Sequence, residues 1–401
     1  MRSIRGWGIM VKCRGVTGSL LATVIVMVVV MIPQVQAAVW PKAPSLNAKA
    51  WVLLDVRSGQ LVTAHNADQE LPPASLTKLM TLYLIFEDIK MGRLQLDERI
   101  AVSKKAWKIG GSTMFLDPRM HPRADELIHG IATYSGNDAC IAMAEHLAGT
   151  ESAFADRMNE TAATLGMKHS HFVNATGFPV EGHYSSAHDM ALLAAALWHD
   201  FPEQYKVFSE KSYTFNGRKQ YNRNSLLWSM PGVDGLKTGH TKAAGYCLIT
   251  SMQKEDTRFV SALFGAHSDR ARASLSKSLL KYGFRNFISL RPAARDLRRK
   301  VDLFGGTESS VWLVPQKGVW VTVPKGYARN LAFDLSYSAP LKAPLRKGER
   351  VGEIRATIKG ERGGEELLAT IPMVTATAVA ETGWIGRMVD RIKLMLMDGD
   401  R

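Results

Sequence analysis

Pro73-Ala74-Ser75-Leu76-Thr77-Lys78 is the stretch that decides the interpretation of this chain. An apolar run from Leu79 to Phe86 follows it, which favours a buried helix whose first turn carries Ser75 and Lys78. Because residues three apart share a helix face, the hydroxyl and the amine should lie within reach of each other. A lysine can take the serine proton only if burial, the helix N-terminus or another cation keeps its amine neutral. The stretch therefore predicts an activated serine nucleophile.

Two further motifs support this prediction, because Ser-x-x-Lys alone is a weak signal. Ser135-Gly136-Asn137 introduces an apolar helical pattern, and Lys237-Thr238-Gly239-His240 lies in a predicted strand. The Ser-x-x-Lys spacing recurs at 274–277 and 278–281, but both copies follow Lys237. Ser-x-x-Lys, then Ser-x-Asn, then Lys-Thr-Gly is the order of a known set of acyl-transfer motifs.

The N-terminus has the composition of an export signal. Four basic residues accompany an apolar run over 16–32, and Val35-Gln36-Ala37 places small residues where a signal peptidase reads the chain. We expect cleavage after Ala37 and export of the remainder. An uncleaved anchor is the alternative, because the run is only slightly shorter than a membrane span.

The chain is strongly basic. Its formal charge of +14 falls to +10 when the four basic residues of the signal are removed. No basic stretch alternates with aromatic residues, so we expect no nucleic-acid partner. An exported basic protein is better suited to anionic lipid headgroups or to the carboxylates of cell-wall peptides, unless its positive surface is merely solvated.

The cysteines provide no disulfide framework. Cys13 leaves with the signal, and Cys140 and Cys247 both lie in apolar runs, where we expect them to be buried as small hydrophobic residues. A bridge between the two is the alternative. Histidines and acidic residues show no metal-ligand spacing, and no glycine loop suits a phosphate. We predict no cofactor and no metal.

Patterns of strands and helices predict two domains. A hairpin over 51–64, a helical middle and a closing helix over 268–282 indicate a largely antiparallel sheet covered on both faces. Short β-rich runs then predict a small all-β domain with a spacer or binding role. These runs are 311–314, 319–323, 331–336, 351–358 and 367–374.

The last predicted element is an amphipathic helix over 384–397. Three basic residues, Arg387, Arg391 and Lys393, lie opposite an apolar arc. The arc consists of Trp384, Ile385, Met388, Val389, Ile392, Met395 and Leu396. The helix is too short and too charged to span a bilayer, and it suits an anionic membrane surface. Packing on the β-domain or on a partner is the alternative.

The chain resembles the serine D-alanyl-D-alanine carboxypeptidases among the low-molecular-mass penicillin-binding proteins. The resemblance depends on the three ordered motifs and on longer matching stretches at 73–78, 222–224 and 233–241. It implies an α/β transpeptidase domain of the penicillin-binding-protein and β-lactamase type, followed by the all-β domain and the terminal helix. The expected segments are a signal peptide (1–37), a catalytic domain (38–286), a β-rich domain (287–379) and a membrane-associating helix (380–401).

The resemblance also implies roles for the motif residues. Ser75 would form an acyl-enzyme with peptidoglycan stem peptides ending in D-Ala-D-Ala, or with β-lactam antibiotics, and Lys78 would take its proton. Ser135 would relay a proton to the leaving amine. Asn137 would hold the substrate backbone, and Lys237 would supply positive charge to its carboxylate end.

The same resemblance extends the substrate site along the Lys237 strand, through Thr238, Gly239 and His240. The backbone N–H groups of Ser75 and His240 would form the oxyanion hole. Arg272 would bind the terminal carboxylate, with Arg270 as a competitor and Arg223 as a further candidate, because arginine pairs with carboxylates through two hydrogen bonds. Each arginine could instead be a surface charge, and whether His183 reaches the site is left open.

Three other functions compete with this interpretation. A class A β-lactamase would need a glutamate-activated water, and no Glu-x-x-Leu-Asn stretch occurs between Ser135 and Lys237. An endopeptidase that cuts cross-links would use the same chemistry. A catalytically silent wall-binding protein is disfavoured because Ser75, Lys78, Ser135 and Lys237 are all intact. We expect the protein at the periplasmic face of the inner membrane.

Overall fold

The computed structural model describes residues 40–360 and 364–398. The predicted signal peptide lies outside these residues. From Ala50 to Asn286 the chain forms a five-stranded antiparallel sheet in the order β2-β1-β7-β6-β5, together with a separate two-stranded hairpin. The strands are β1 (Ala50–Asp55), β2 (Leu61–His65), β3 (Ser212–Phe215), β4 (Arg218–Tyr221), β5 (Val233–Thr241), β6 (Gly245–Lys254) and β7 (Thr257–Ala266).

Helices cover both faces of the five-stranded sheet. They are α1 (Lys78–Lys90), α2 (Lys104–Lys108), α3 (Ala124–Tyr134), α4 (Asn137–Ala148), α5 (Glu151–Thr164), α6 (Ala187–Asp200), α7 (Leu226–Ser229) and α8 (Asp269–Asn286). Alternation along β1 explains the two cores, because successive side chains point to opposite faces. Trp51 and Leu53 pack in the cluster that contains α8 residues, whereas Val52 and Leu54 pack with α1, α4 and α6. The predicted sheet covered on both faces is confirmed.

The remaining chain forms a second, all-β unit with its own hydrophobic core. A six-stranded sheet has the order β12-β14-β15-β10-β9-β13, and β8 pairs with β11. The strands are β8 (Phe287–Leu290), β9 (Arg299–Phe304), β10 (Ser310–Pro315), β11 (Val321–Pro324), β12 (Leu331–Tyr337), β13 (Leu341–Lys342), β14 (Arg350–Lys359) and β15 (Glu365–Thr375). All five predicted runs form strands. The prediction missed β8 and β13, which are short and pair with distant segments, and β9, whose sequence is interrupted by the charged residues Arg299, Lys300 and Asp302.

A buried carboxylate joins the two units. Asp55, at the end of β1, is 0% exposed and accepts hydrogen bonds from Ser289 Oγ at 2.5 Å and from Thr322 Oγ1 at 2.7 Å. It also accepts from the backbone N–H of Arg57 at 2.8 Å. The Arg57 guanidinium lies 4.9 Å from the Trp198 ring and 5.0 Å from the Trp320 ring, so it contacts an aromatic residue of each unit.

The terminal helix α9 (Trp384–Asp398) contacts the β-unit through its polar side. Asp390 accepts a hydrogen bond from the Gly305 N–H at 2.8 Å, and Arg387 pairs with Glu381 at 2.7 Å. The apolar arc is 45% to 69% exposed at its six described positions, namely Trp384, Ile385, Met388, Val389, Ile392 and Met395. The helix thus packs on the β-unit through its polar side, while these six apolar side chains are not buried against that unit. Among the described helices, none combines the length and the apolar character that a membrane crossing requires.

Candidate active site

Ser75 and Lys78 meet at the start of α1. The chain enters the helix through a 3₁₀ turn, Ala74–Thr77, and the α-helix itself begins at Lys78. Ser75 therefore lies in the turn before the α-helix and not, as predicted, in its first turn. Residues three apart in a 3₁₀ turn are nearly eclipsed, and Lys78 Nζ accordingly lies 3.1 Å from Ser75 Oγ. The predicted contact between hydroxyl and amine is present.

Burial makes Lys78 a potential base. Its side chain is 0% exposed, and its Nζ also donates to the Thr176 carbonyl at 2.5 Å. Desolvation lowers the pKa of Lys78 to about 8, and the positive charge of Arg223 acts in the same direction. A substantial neutral fraction thus exists near neutral pH, which an ordinary lysine would not have.

Ser135 is held at a strained position between two helices. It follows α3 with φ 71° and ψ 40°, a left-handed conformation that costs a non-glycine residue about 1 kcal/mol or more. Its side chain is buried, and its Oγ has no hydrogen-bond partner among the described residues. A buried hydroxyl without a partner is available to a substrate atom or water in the cleft.

Asn137 opens α4 and points to the cleft from the same wall. Its Nδ2 donates to the Gly110 carbonyl at 2.8 Å, and its backbone N–H donates to Ser112 O at 2.7 Å. These bonds hold the 110–112 loop against the start of α4. Gly111 has φ +78°, and a side chain there would come within 2.8 Å of Asn137 Nδ2, so the loop needs a glycine at this point.

The Lys237 motif forms the opposite wall. Strand β5 carries Lys237, Thr238, Gly239 and His240 at the edge of the sheet, directly beside the 3₁₀ turn of Ser75. Lys237 is buried, and its Nζ donates to Thr238 O at 3.2 Å. Desolvation lowers the pKa of Lys237 well below its ordinary value, and the neighbouring charge of Lys78 lowers it further.

Between these walls lies a cleft of about 460 Å³. Eight of the ten predicted site residues line it: Ser75, Ser135, Asn137, Arg223, Thr238, Gly239, His240 and Arg272. Lys78 and Lys237 are buried next to lining residues, through Ser75 and Thr238 respectively. The structure thus brings all ten predicted residues to one place.

The two arginines differ in how far they are already engaged. Arg272 Nη1 donates to Gly239 O at 3.0 Å and to Cys247 O at 3.4 Å, and its Nη2 pairs with Asp269. Arg223 is exposed at the cleft and lowers the pKa of both lysines by its charge. Arg270, the competitor for the Arg272 position, does not line the cleft.

Sequence reasoning missed a loop that supports the site. Thr176, Gly177 and Phe178 line the cleft, about a hundred residues after Ser75 in the chain. Gly177 has φ +85°, and a side chain there would collide with the Ala74 carbonyl at 1.8 Å. His183 follows on the same loop and contacts Thr77 at 2.9 Å rather than Ser75. No local pattern in the sequence relates these residues to the motif.

Cys140 and Cys247 are both buried and free, so the alternative of a bridge between them is wrong. Cys140 lies on α4 near Lys78, and burial raises its pKa to about 12. Among the described residues, no group of three or more histidine, cysteine or acidic side chains is arranged to hold a metal ion.

Comparison with known proteins identifies the family. The family model described as D-alanyl-D-alanine carboxypeptidase matches residues 37–268, and the C-terminal domain of penicillin-binding protein 5 matches 294–381. D-alanyl-D-alanine carboxypeptidase DacA of Escherichia coli (strain K12) is 38% identical over 365 residues, which cover 88% of this chain and 89% of the relative. The chain belongs to the D-alanyl-D-alanine carboxypeptidase family.

Solved structures agree with this assignment. Penicillin-binding protein 5 from Haemophilus influenzae superposes with a TM-score of 0.80 at 35% identity, covering 85% of this chain and all of that one. Penicillin-binding protein D2 from Listeria monocytogenes, solved in its ampicillin-bound form, matches with a TM-score of 0.57 at 31% identity over 61% of this chain and 100% of that one. The predicted fold, a transpeptidase domain with an all-β C-terminal domain, is confirmed, and the enzyme is a serine D-alanyl-D-alanine carboxypeptidase of the penicillin-binding class.

Proposed function

We propose that Ser75 is the nucleophile and that it removes the terminal D-alanine of peptidoglycan stem peptides through an acyl-enzyme. The observation that carries this proposal is the 3.1 Å contact between Ser75 Oγ and the buried amine of Lys78. Ser75 Oγ attacks the carbonyl carbon of the penultimate residue, and Lys78 accepts its proton. The peptide bond then breaks, D-alanine leaves, and water hydrolyses the ester to free Ser75.

Proton delivery to the leaving amine is assigned to Ser135. Its Oγ is buried, has no partner among the described residues and faces the cleft that Ser75 lines. Lys237 supplies positive charge on the opposite wall once a substrate carboxylate is bound, because an adjacent anion favours the protonated amine that burial otherwise disfavours. Lys78 acts first as base and then as acid, and the proton taken from Ser75 passes through Ser135 Oγ to the departing nitrogen.

The oxyanion formed in the first step is assigned to the backbone N–H groups of Ser75 and His240. Support comes from the packing of β5 beside the Ser75 turn and from the presence of both residues in the cleft wall. Asn137 then orients the substrate backbone. Arg272 or Arg223, with Lys237, binds the terminal carboxylate. β-Lactams acylate Ser75 in the same way, because their strained amide presents an equivalent carbonyl and carboxylate.

A labelled penicillin and a muropeptide test this function. Ser75→Ala should lose both covalent labelling and D-alanine release while keeping the wild-type melting temperature, since alanine is tolerated early in a helix. Labelling of the alanine variant would refute the assignment. A cross-linked muropeptide serves as the second substrate: cleavage of the cross-link faster than release of the free D-alanine would favour the endopeptidase function, which the relatives support less well. Folded wild-type protein that neither labels nor turns over would indicate a silent wall-binding protein.

We further propose four segments: a cleaved signal peptide over 1–37, a catalytic domain over 38–286, a β-rich domain over 287–379 and a membrane-associating segment over 380–401. The exported enzyme is held at the periplasmic face of the inner membrane by α9. Support for the helix comes from its apolar arc, which is exposed at all six described positions, and from the basic residues beside it.

Truncation after Thr382 tests this anchor. The shortened protein should move to the soluble fraction while it turns over a small peptide at the wild-type rate. Charge reversal at Arg387 and Arg391 should weaken binding to anionic vesicles more than to neutral ones, especially at low salt. If the truncated protein still sediments with membranes, an uncleaved signal segment becomes the better explanation.

A further inference from the structure

The turn that carries Ser75 and Lys78 is held from behind by the loop 173–183. Three contacts join the loop to the 3₁₀ turn and to the first turn of α1: His183 Nε2 to Thr77 Oγ1 at 2.9 Å, Lys78 Nζ to Thr176 O at 2.5 Å, and Thr81 Oγ1 to Ala175 O at 2.7 Å. The same loop lines the cleft with Thr176, Gly177 and Phe178. One face of the loop therefore contacts the catalytic turn while the other lines the cleft.

His183 has a defined role in this arrangement because its two ring nitrogens have different partners. The Val173 N–H can only donate, and it lies 3.0 Å from Nδ1, so Nδ1 is the acceptor. The proton of the neutral ring is then on Nε2, which donates to Thr77 Oγ1. The ring is buried and packs edge-on against Phe172 at 5.8 Å between centroids.

We propose that His183 is a positioning residue that fixes the Ser75–Lys78 turn by bridging the Val173 backbone to the Thr77 hydroxyl. This inference rests on the proposed role of Ser75 and Lys78. A shift of about 1 Å at a reacting group can cost about 100-fold in rate. Loss of a bridge only two residues from Ser75 should therefore slow acylation. Protonation of His183 would remove the acceptor at Nδ1, and burial together with the charges of His171 and Lys78 keeps the ring neutral by lowering its pKa to about 4.

His183→Phe keeps the aromatic volume and removes both hydrogen bonds. Acylation by a labelled penicillin should fall between about 10- and 100-fold, with a smaller change in the affinity of the preceding non-covalent complex. The pH of half-maximal acylation should also rise above about 8, because a loosened loop admits water to Lys78. His183→Gln, which retains an amide donor and acceptor, should recover part of the rate.

Thr77→Val is the second variant and removes only the hydroxyl partner. Its acylation rate should fall by the same factor as that of His183→Phe. The double variant should be no slower than either single variant, because both substitutions break the same bridge. His171→Phe is the matched control: this neighbouring histidine donates from Nδ1 to Gly182 O at 2.7 Å and makes no side-chain hydrogen bond to the turn. Additive losses, or a lower melting temperature with unchanged acylation and an unchanged pH midpoint, would overturn the proposal. Normal labelling of Ser75→Ala would instead refute the proposed function itself.

A second inference concerns a cavity of about 440 Å³ between α9 and the β-unit. Three cations line it, namely Arg387 and Arg391 from the helix and Lys342 from β13. The single carboxylate in its wall, Asp390, is already engaged by the Gly305 N–H at 2.8 Å and by Lys393 at 3.1 Å. Arg387 is paired with Glu381 at 2.7 Å, so the positive charge of the cavity comes mainly from Arg391 and Lys342.

The apolar arc of α9 continues into this cavity. Trp384 and Met388 line it and are also 69% and 54% exposed on the arc. A helix lying in the interface places its arc among the acyl chains and its flank at the level of the phosphates. We infer that the cavity binds the phosphate headgroup of an anionic membrane phospholipid. This inference depends on the proposed membrane attachment by α9.

Lys342 allows a sharp test because it is not on the helix. Lys342→Ala should weaken binding to phosphatidylglycerol vesicles about three- to tenfold, whereas Lys359→Ala, an exposed lysine of the same β-unit outside the cavity, should change it less than about twofold. Neither should alter the weak binding to phosphatidylcholine vesicles.

If both lysine variants lost the same vesicle affinity, the binding would be a general electrostatic attraction, and the cavity assignment would be overturned. Excess glycerol phosphate, at an ionic strength matched with chloride, should weaken vesicle binding to the level of Lys342→Ala; glycerol phosphate that binds the wild type and not Lys342→Ala, while vesicle binding is unchanged, would mean that the ligand is a free phosphate rather than a lipid. Retained vesicle binding after truncation at Thr382 would refute the membrane attachment itself, which separates the two failures.

Discussion

The catalytic cleft and the junction between the two units both bury charge, but they treat it in opposite ways. At the junction, two hydroxyls and a backbone N–H donate to Asp55 at 2.5 to 2.8 Å. In the cleft, Lys237 has a single backbone acceptor and lies near a second buried lysine. Desolvation favours the neutral form of each group, so it raises the pKa of Asp55 and lowers the pKa of Lys237.

This difference separates structural from reactive charge. A buried carboxylate surrounded by donors is fixed in place and has no spare capacity for a ligand. Buried amines with few acceptors cost stability, and a protein retains them where a substrate anion or a proton transfer uses them. Ser135, with its strained backbone and unpartnered hydroxyl, belongs with the second group.

The largest expected effect is on Lys78. Lys78→Arg should reduce acylation by about 1000-fold or more, because a guanidinium stays protonated and cannot act as base. In the wild type, acylation should rise with pH to a plateau above about 8, since only the neutral amine accepts the proton and its pKa is lowered to about 8. Stopped-flow measurements with a reporter penicillin give both results. An active arginine variant would place Lys78 among the structural charges.

Replacing Asp55 should reduce stability and leave activity almost unchanged. Asp55→Asn puts an amide donor against Ser289 and Thr322, so the free energy of unfolding should fall by about 3 kcal/mol while kcat on a small peptide stays within about twofold. Urea unfolding followed by circular dichroism, with peptide turnover below the transition, checks this. Loss of activity in folded protein would show that the junction also controls the cleft.

The two arginines of the cleft allow a structural charge and a substrate-binding charge to be compared within one site. Arg223→Ala should impair release from a free-carboxylate peptide about tenfold more than release from an amide-capped analogue, because its guanidinium faces the cleft. Arg272→Ala should impair both peptides alike, since this side chain already holds the carbonyls of Gly239 and Cys247. Steady-state kinetics on the two peptides show which arginine binds the carboxylate. If Arg272→Ala impaired only the free-carboxylate peptide, Arg272 and not Arg223 would be the carboxylate-binding residue.

The smallest effect is expected for Thr322→Val. This change removes one of the donors to Asp55 and keeps the side-chain shape, so it should lower the free energy of unfolding by about 1 kcal/mol without affecting acylation. Measured in an Asp55→Asn background, the same substitution should have a smaller effect, because the hydrogen bond to Asp55 is already lost and only the 2.6 Å contact with Ser58 Oγ is left to lose. Fully additive losses would mean that Asp55 and Thr322 act independently.

Local sequence patterns predicted the contact between Ser75 and Lys78 and the kind of fold that holds it. Ser75 and Lys78 are three residues apart, so local geometry alone brings them together whether the turn is α or 3₁₀. The order of strand and helix patterns, and the β-rich runs after Phe287, indicated the covered sheet and the second unit, because the period of apolar residues is a local property. The apolar arc of α9 followed from the same kind of periodicity, whereas its exposure is a finding of the structure.

The surroundings of these elements depend on contacts between residues that are far apart in the chain. The bridge from His183 to Thr77 spans 106 residues, and the contacts of Asp55 with Ser289 and Thr322 span more than 230. Such pairs have no shared period or spacing, since they depend on how loops close over a finished core. The degree to which Arg223 and Arg272 are engaged depends likewise on the carbonyls and carboxylates that folding brings near each guanidinium, and no pattern in one chain encodes that.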